Sequence, residues 1–498
     1  MRSGKINVPI IIKMISKMLV IEGLFIWLAL PFALYYNTEA YTWGFFKDLN
    51  HEFPALLVSG ALSIVIGLVL SYITRNADNT AITKREGYFV VSLAWVVISS
   101  FGALPFFISG YIPSYTDAFF ETMSGFTTTG SSILTDIESI PKGLLFWRSM
   151  THWIGGMGII VLSLAILPIL GIGGMQMFAA EVPGPIKDKL HPRIKDTAKR
   201  LWGIYVLLTF VQTVLLMFGG LDFFDSICHA FATMATGGFS TQNASVANYS
   251  PYIQYVIILF MILAGVNFSL HYLALHGKLK KVLQNEEFRY YLSVLFGFSI
   301  IISCFLIINA GMPIEKAFRD ALFQVVSIVT TTGFVTADYL MWPGYLWIII
   351  FLLMFVGGST GSTGGGVKVM RHVILFKNSG LELKRLIHPK AIIPVRFNGK
   401  SVPQDIVFNI LAFFMIYMII FGLSMLVMIA VGLDFQTAIG SVAASLGNIG
   451  PGIGKVGPVE NYSAIPIVGK WFLSFLMLLG RLELFTVLII LSPSFYKK

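Results

Sequence analysis

Charge is what this sequence has least of. Asp, Glu, Lys and Arg supply 12% of its 498 residues while 56% are hydrophobic, against about 25% charged and 45–50% apolar in an average soluble domain. A chain of that composition aggregates in water, so the soluble classes are excluded and a bilayer is the expected solvent. Cysteine is nearly absent. Cys228 and Cys304 both sit in apolar segments, without a CxxC or a Cys/His pair at zinc spacing, which leaves them as packing residues. The histidines His152, His229, His271 and His372 are scattered without HExxH spacing, so packing or surface roles are expected of them. A membrane enzyme needs a nucleophile with its base, or a metal cluster, and neither is found. No GxGxxG follows a strand, so no bound organic cofactor is expected and any nucleotide control has to come from a partner.

The charge that is present is unbalanced, +10 at pH 7. In a soluble chain that excess would suggest nucleic acid; here the cations fall in short loops between apolar stretches, so no nucleic-acid partner is expected. Ten stretches are long enough to span, near residues 15–36, 54–74, 87–110, 145–170, 200–219, 252–275, 288–310, 345–372, 404–431 and 470–492. The loops with Arg75, Lys84 and Arg85, with Lys187 to Arg200, with Lys278 to Arg289 and with Lys377 to Lys400 share one side with the tail Lys497–Lys498. The positive-inside rule puts that side, and both termini, in the cytoplasm. Lys5, Lys13 and Lys17 precede no small-residue cleavage site, so the first stretch reads as a span and not a signal peptide.

Four connections on the other side each hold an apolar piece too short to span, followed by a polar turn with glycine. They are DAFFETMSGFTTTGSS from Asp117, DSICHAFATMATGGFS from Asp225, DALFQVVSIVTTTGFV from Asp320 and DFQTAIGSVAASLGNI from Asp434. Aligned without gaps, they put Gly130, Gly238, Gly333 and Gly447 in register, with Thr128, Thr236, Thr331 and Ser445 two residues earlier. The apolar helices that follow also share a glycine: Gly155, Gly265, Gly357 and Gly480. A unit of helix, short re-entrant helix, glycine turn and helix therefore occurs four times. The leading Asp residues are expected to cap the short helices.

Re-entrant backbone is tolerated only where protein or a water-filled cavity surrounds it. Four such turns about one axis supply that cavity, and rings of backbone carbonyls ligate a dehydrated potassium ion without fixed charge. Glycine permits the backbone angles that the turn requires. The filter expected from this register is Thr128, Thr129, Gly130; Thr236, Gly237, Gly238; Thr331, Thr332, Gly333; and Ser445, Leu446, Gly447. No carboxylate lies within these turns, which argues against a calcium-type filter.

With SGFTTTG, HWIGGMGI, ATGGFST, TTTGF, GGSTGSTGGG, GNIGPG and GRLE in place, the chain resembles the Trk/Ktr/HKT superfamily of potassium transporters, and within it the bacterial TrkH/TrkG branch. The resemblance covers the chain from about Gly87 to its C-terminus. It implies an all-α integral membrane protein of ten transmembrane helices and four re-entrant pore helices, in four repeats around one pore. The expected divisions are 1–80 for an extra N-terminal helix pair, then repeats at 81–185, 186–282, 283–395 and 396–498. Glycine at position 130, where sodium-transporting relatives carry serine, favours potassium as transported substrate. The resemblance further implies a bacterial inner-membrane homodimer seated on a cytoplasmic, TrkA-like ring of RCK-type subunits that bind NAD or ATP.

Two internal features remain. Gly357, Gly358, Gly361, Gly364, Gly365 and Gly366 interleave with Ser and Thr in the third repeat, and at about 1 kcal/mol per glycine relative to alanine the run should not stay helical. A loop is expected there, and the resemblance makes it the gate; small-residue helix packing is the alternative. Arg481 stands mid-span two residues before Glu483, where a cation must face protein or water. Either it faces the pore as an electrostatic barrier, or it pairs with Glu483. Competing functions are a sodium or sodium/potassium conductor and a proton-coupled secondary transporter of the inverted-repeat kind. The latter is expected to break its helices in pairs, whereas a strong glycine break is visible in the third repeat alone.

Overall fold

A computed structural model describes residues 6–36, 51–77, 84–161, 190–391 and 393–496. Among them, six helices are long and apolar enough to cross a membrane: Val8–Tyr36, Glu52–Ile73, Arg85–Ile108, Ala198–Phe218, Glu286–Ala310 and Gln404–Ala430. They leave apolar side chains exposed, as Phe408, Met415 and Leu423 do on the last of these, a surface suited to lipid. The first two pack through small residues. A Cβ on Gly23 would lie 2.6 Å from the Gly60 carbonyl oxygen, so only glycine allows the two backbones to approach this closely.

The four units follow in chain order. An outer helix, a short helix and an inner helix make up each: Arg85–Ile108, Tyr115–Phe126 and Lys142–Val161; Ala198–Phe218, Phe223–Met234 and Pro251–Ala264; Glu286–Ala310, Ile314–Val329 and Gly344–Leu353; Gln404–Ala430, Phe435–Gly447 and Ile467–Arg481. The short helices form the centre, with Phe120, Phe224 and Phe323 fully buried. Their caps correct one expectation. Ser114, Asp222 and Asp434 accept the amides of Asp117, Asp225 and Thr437. Asp117 and Asp225 are thus first-turn residues, and Asp320 is buried within Ile314–Val329.

The inner helices are less regular than their hydropathy suggests. Stretches 252–275 and 470–492 are not single straight spans: the first bends by 102° between Pro251–Ala264 and Phe268–Leu275, the second by 117° between Ile467–Arg481 and Leu484–Leu491. At the first break the Gly265 carbonyl accepts Ser359 N–H, and Asn267 caps the new helix at Ser269 N–H. At the second, Glu483 takes φ 60°, which an α-helix cannot accommodate. In the third unit helix stops at Leu353 and resumes only at Val369, so the glycine run between them is loop. A hairpin pairing Arg396–Phe397 with Lys400–Ser401 leads into the fourth unit. The end of the expected span 145–170 beyond Val161, with Lys5, Lys187, Lys189, Lys497 and Lys498 and the divisions at 80/81 and 185/186, lies outside the described residues.

Candidate functional site: a cyclic ring of four glycine turns

Each short helix ends the same way. Thr128, Thr236, Thr331 and Asn448 take φ of 50°, 55°, 58° and 52°, and each donates its N–H to the carbonyl three residues back: Gly125, Thr233, Ile328 and Ser445. The next residue in each case reaches five back, Thr129 to Ser124, Gly237 to Ala232, Thr332 to Ser327 and Ile449 to Ala444. This paired pattern is a Schellman motif, whose left-handed position is usually glycine. Threonine there costs about 1–2 kcal/mol. Three β-branched outliers at equivalent positions are strain held by the surrounding structure.

The glycines follow two residues later. Gly130, Gly238, Gly333 and Gly450 have φ of 83°, 80°, 84° and 99°. A Cβ on Gly130 would lie 2.1 Å from Gly237 O, on Gly238 2.1 Å from Thr332 O, on Gly333 2.1 Å from Ile449 O, and on Gly450 2.8 Å from Thr129 O. The contacts run from the first turn to the second, third and fourth and back to the first. The four turns therefore close a ring in chain order, each glycine against the carbonyl that precedes the next.

This ring corrects the fourth turn. Gly447 ends the helix Phe435–Gly447 and Ser445 and Leu446 lie inside it, so the residues equivalent to Thr128–Gly130 are Asn448, Ile449 and Gly450. The gap-free alignment matched Asp434 to Asp117 and Asp225, whereas by capping it matches Ser114 and Asp222. Asn448 was the missed signal, because asparagine tolerates the left-handed region better than threonine. Its amide donates to Thr129 Oγ1 and to Met477 O, both at 2.9 Å. The inner helices agree with the new register: a Cβ on Gly155 would meet Phe126 O at 2.0 Å and one on Gly480 would meet Leu446 O at 2.2 Å, each carbonyl four residues before a ring glycine.

The glycine loop lies against this ring. Gly365 N–H donates to Thr331 Oγ1 at 2.6 Å, and a Cβ on Gly365 would sit 2.8 Å from Gly447 O while one on Gly364 would sit 2.9 Å from Thr330 O. The loop closes on itself through Gly357 N–H to Val367 O, and Gly358 packs on Gly265 of the second unit. Gly361 and Gly366 take φ of 75° and 63°. From the other side, Thr360 N–H donates to the buried carboxylate of Glu287 at 2.6 Å.

Arg481 is 2% exposed. Its guanidinium donates from Nη1 to Thr363 O at 2.7 Å and from Nη2 to Gly155 O at 3.2 Å, and Nε has no partner. The fourth unit is thereby joined to the first and to the loop of the third. The expected alternative of a pair with Glu483 does not occur, because Glu483 accepts from Arg371. The break between Arg481 and Leu484 turns the two neighbours apart. Arg481 lines a cavity of about 30 Å³ with Gly364, Gly365, Gly366, Lys368 and Gly480.

His152 packs behind Gly237, His229 contacts Asp225 O and Ser240 Oγ, and His271 contacts Leu263 O. Among the described residues no group of three His, Cys, Asp or Glu is placed to hold a metal ion.

Residues 54–496 match the TrkH family, described as cation transport protein. The chain is 44% identical over 444 residues to the Trk system potassium uptake protein TrkH of Escherichia coli K12, covering 88% of this chain and 91% of that one. It is 35% identical over 432 residues to TrkG of the same strain, covering 86% and 88%. The crystal structure of the potassium transporter TrkH from Vibrio parahaemolyticus superposes with a TM-score of 0.89 at 35% identity, covering 99% of this chain and 100% of that one. On these grounds the chain belongs to the TrkH family of cation transport proteins.

Proposed function

We propose that the chain conducts potassium into the cell through the ring of Gly130, Gly238, Gly333 and Gly450. The observation that carries this reading is the closed cycle of positive-φ glycines, each against the carbonyl that precedes the next. Backbone carbonyls so arranged offer neutral oxygen ligands to a dehydrated cation. The relatives' names, potassium uptake proteins of a Trk system, support potassium as the cargo and a second component as partner. In this reading the filter comprises Thr128–Gly130, Thr236–Gly238, Thr331–Gly333 and Asn448–Gly450, in four re-entrant repeats around one pore. The loop from Gly357 to Gly366 is the gate, and Arg481 is a standing positive charge beneath the filter. The protein works in the inner membrane as a homodimer, with both termini cytoplasmic and an RCK-type nucleotide-binding ring on that face.

The test is flux in liposomes with potassium and sodium in competition. Potassium uptake that sodium does not inhibit supports the filter; equal rates for both cations overturn it. A proton-coupled cycle is the second reading, favoured by the breaks at Ala264 and Arg481 in addition to the third-unit loop. Proton movement in liposomes given only a potassium gradient separates the two: potassium entering down its gradient carries protons inward with it in a symporter and none through a channel.

A further inference from the structure

We propose that the buried Glu121–Arg148 pair sets cation selectivity by clamping the loop segments that leave the first two glycine turns. The proposal rests on the reading of the ring as a filter. Both side chains are at most 3% exposed, with Arg148 Nε 2.7 Å from Glu121 Oε1. Glu121 accepts Ser132 Oγ–H and Ile133 N–H, each at 2.9 Å. Arg148 donates from Nη1 to Ser240 O at 2.9 Å and from Nη2 to Ser132 Oγ at 3.1 Å. Ser132 and Ile133 closely follow Gly130, and Ser240 closely follows Gly238. One ion pair therefore fixes the exits of two adjacent turns.

A third grip acts on Phe239, the residue after Gly238. The Arg148 guanidinium lies 3.6 Å from its ring centroid, and the His152 imidazole stacks at 3.9 Å and 19°. Two groups so close cannot share one face of the ring. Phe239 is thus held between side chains one helical turn apart on Lys142–Val161, and a Cβ on Gly237 would meet His152 Nδ1 at 2.4 Å.

The other boundaries are held by neutral bonds at this level. Ser245 Oγ accepts Val335 N–H between the second and third units, Tyr339 donates to Gly452 O between the third and fourth, and Ser131 Oγ–H donates to Gly450 O and Tyr462 N–H to Ser132 O between the fourth and first. The pair Lys470–Asp117 also joins the fourth and first units, but at the start of the short helix and not on a segment leaving a turn. Arginine's rigid fork is what reaches Glu121, Ser132 and Ser240 together, and lysine cannot reproduce it. Carbonyl positions in two quarters of the ring then depend on one guanidinium.

The experiment measures the potassium-to-sodium flux ratio per detergent-stable molecule for R148K, E121Q, F239L and the double variant E121Q/R148M, with G130S alongside. R148K is expected to lower the ratio by about tenfold, within the range of couplings inside one side-chain network, and F239L to lower it less. The double variant leaves no unpaired buried charge, so its stability should recover toward wild type. A role in folding alone would restore selectivity with it; clamping predicts that selectivity stays impaired. Wild-type selectivity in the double variant overturns the proposal if G130S is unselective. Should R148K and the double variant fail to fold, F239L decides, because it leaves the ion pair intact, and an unchanged ratio then overturns the clamp. If G130S also keeps wild-type selectivity, it is the filter reading that fails.

Discussion

Gly447 and Gly450 stand three residues apart and should respond differently to the same methyl group. A Cβ on Gly450 meets the Thr129 carbonyl at 2.8 Å on a backbone at φ 99°, where alanine is strained by about 1–2 kcal/mol before any clash. One on Gly447 meets the flexible end of Ile449 at 2.8 Å and the Met354 carbonyl oxygen at 3.3 Å, contacts that a side-chain shift can largely relieve, and helix propensity favours alanine by up to about 1 kcal/mol. G450A should therefore lower the potassium-to-sodium ratio of uptake while G447A keeps it, as potassium-dependent growth of a transport-deficient strain with sodium in competition will report. Loss of uptake in G447A alone would restore the register read from sequence. Arg481 yields a second prediction. A guanidinium stays charged, and repulsion of a passing cation exceeds the roughly 1 kcal/mol expected at 4 Å in water once the dielectric falls. R481A should raise maximal flux several-fold with little change in selectivity; lower flux per folded molecule would count against a pore-facing charge. At this scale three of the four turns were legible because Thr-x-Gly recurs in register. The fourth was not, because Asn448 replaces threonine and alignment by Asp434 chose the cap instead of the turn.

Among the elements, the glycine loop is held from both sides. Thr331 accepts Gly365 N–H and Glu287 accepts Thr360 N–H, and leaving a buried N–H without its partner costs about 1–3 kcal/mol. E287A should release the loop and raise uptake in the absence of the cytoplasmic partner by about tenfold or more, given that cost. Removing part of Gly357 to Gly366 should act in the same direction. Flux that falls in folded protein from either change would remove the loop from gating. The break in the third inner helix could be read from its glycines. Those after Ala264 and Arg481 could not, since hydropathy runs through both and the causes are tertiary: a Gly265 carbonyl bonded to the third unit's loop, and a Glu483 drawn to Arg371. Truncating Arg371 removes that carboxylate's hydrogen-bonded partner, and because Glu483 is 16% exposed and lines a cavity with Lys368, R371A should lower stability by only about 1.5–3 kcal/mol, seen as earlier loss of monodispersity on heating in detergent.

For the molecule as a whole, repetition made the four-unit plan legible, since each unit buries a short helix that no single unit could cover. How the units meet was not legible, because the contacts that close the ring join residues up to about 320 positions apart, as Asn448 does with Thr129, and only a folded chain brings them together. That closure within one covalent chain has a genetic consequence. In a pore assembled from four identical subunits, one codon change alters every quarter at once. Here a codon change at any of Gly130, Gly238, Gly333 or Gly450 alters one quarter and leaves three, so, on the reading of the ring as a filter, cation preference can drift by separately heritable steps without all four quarters changing together.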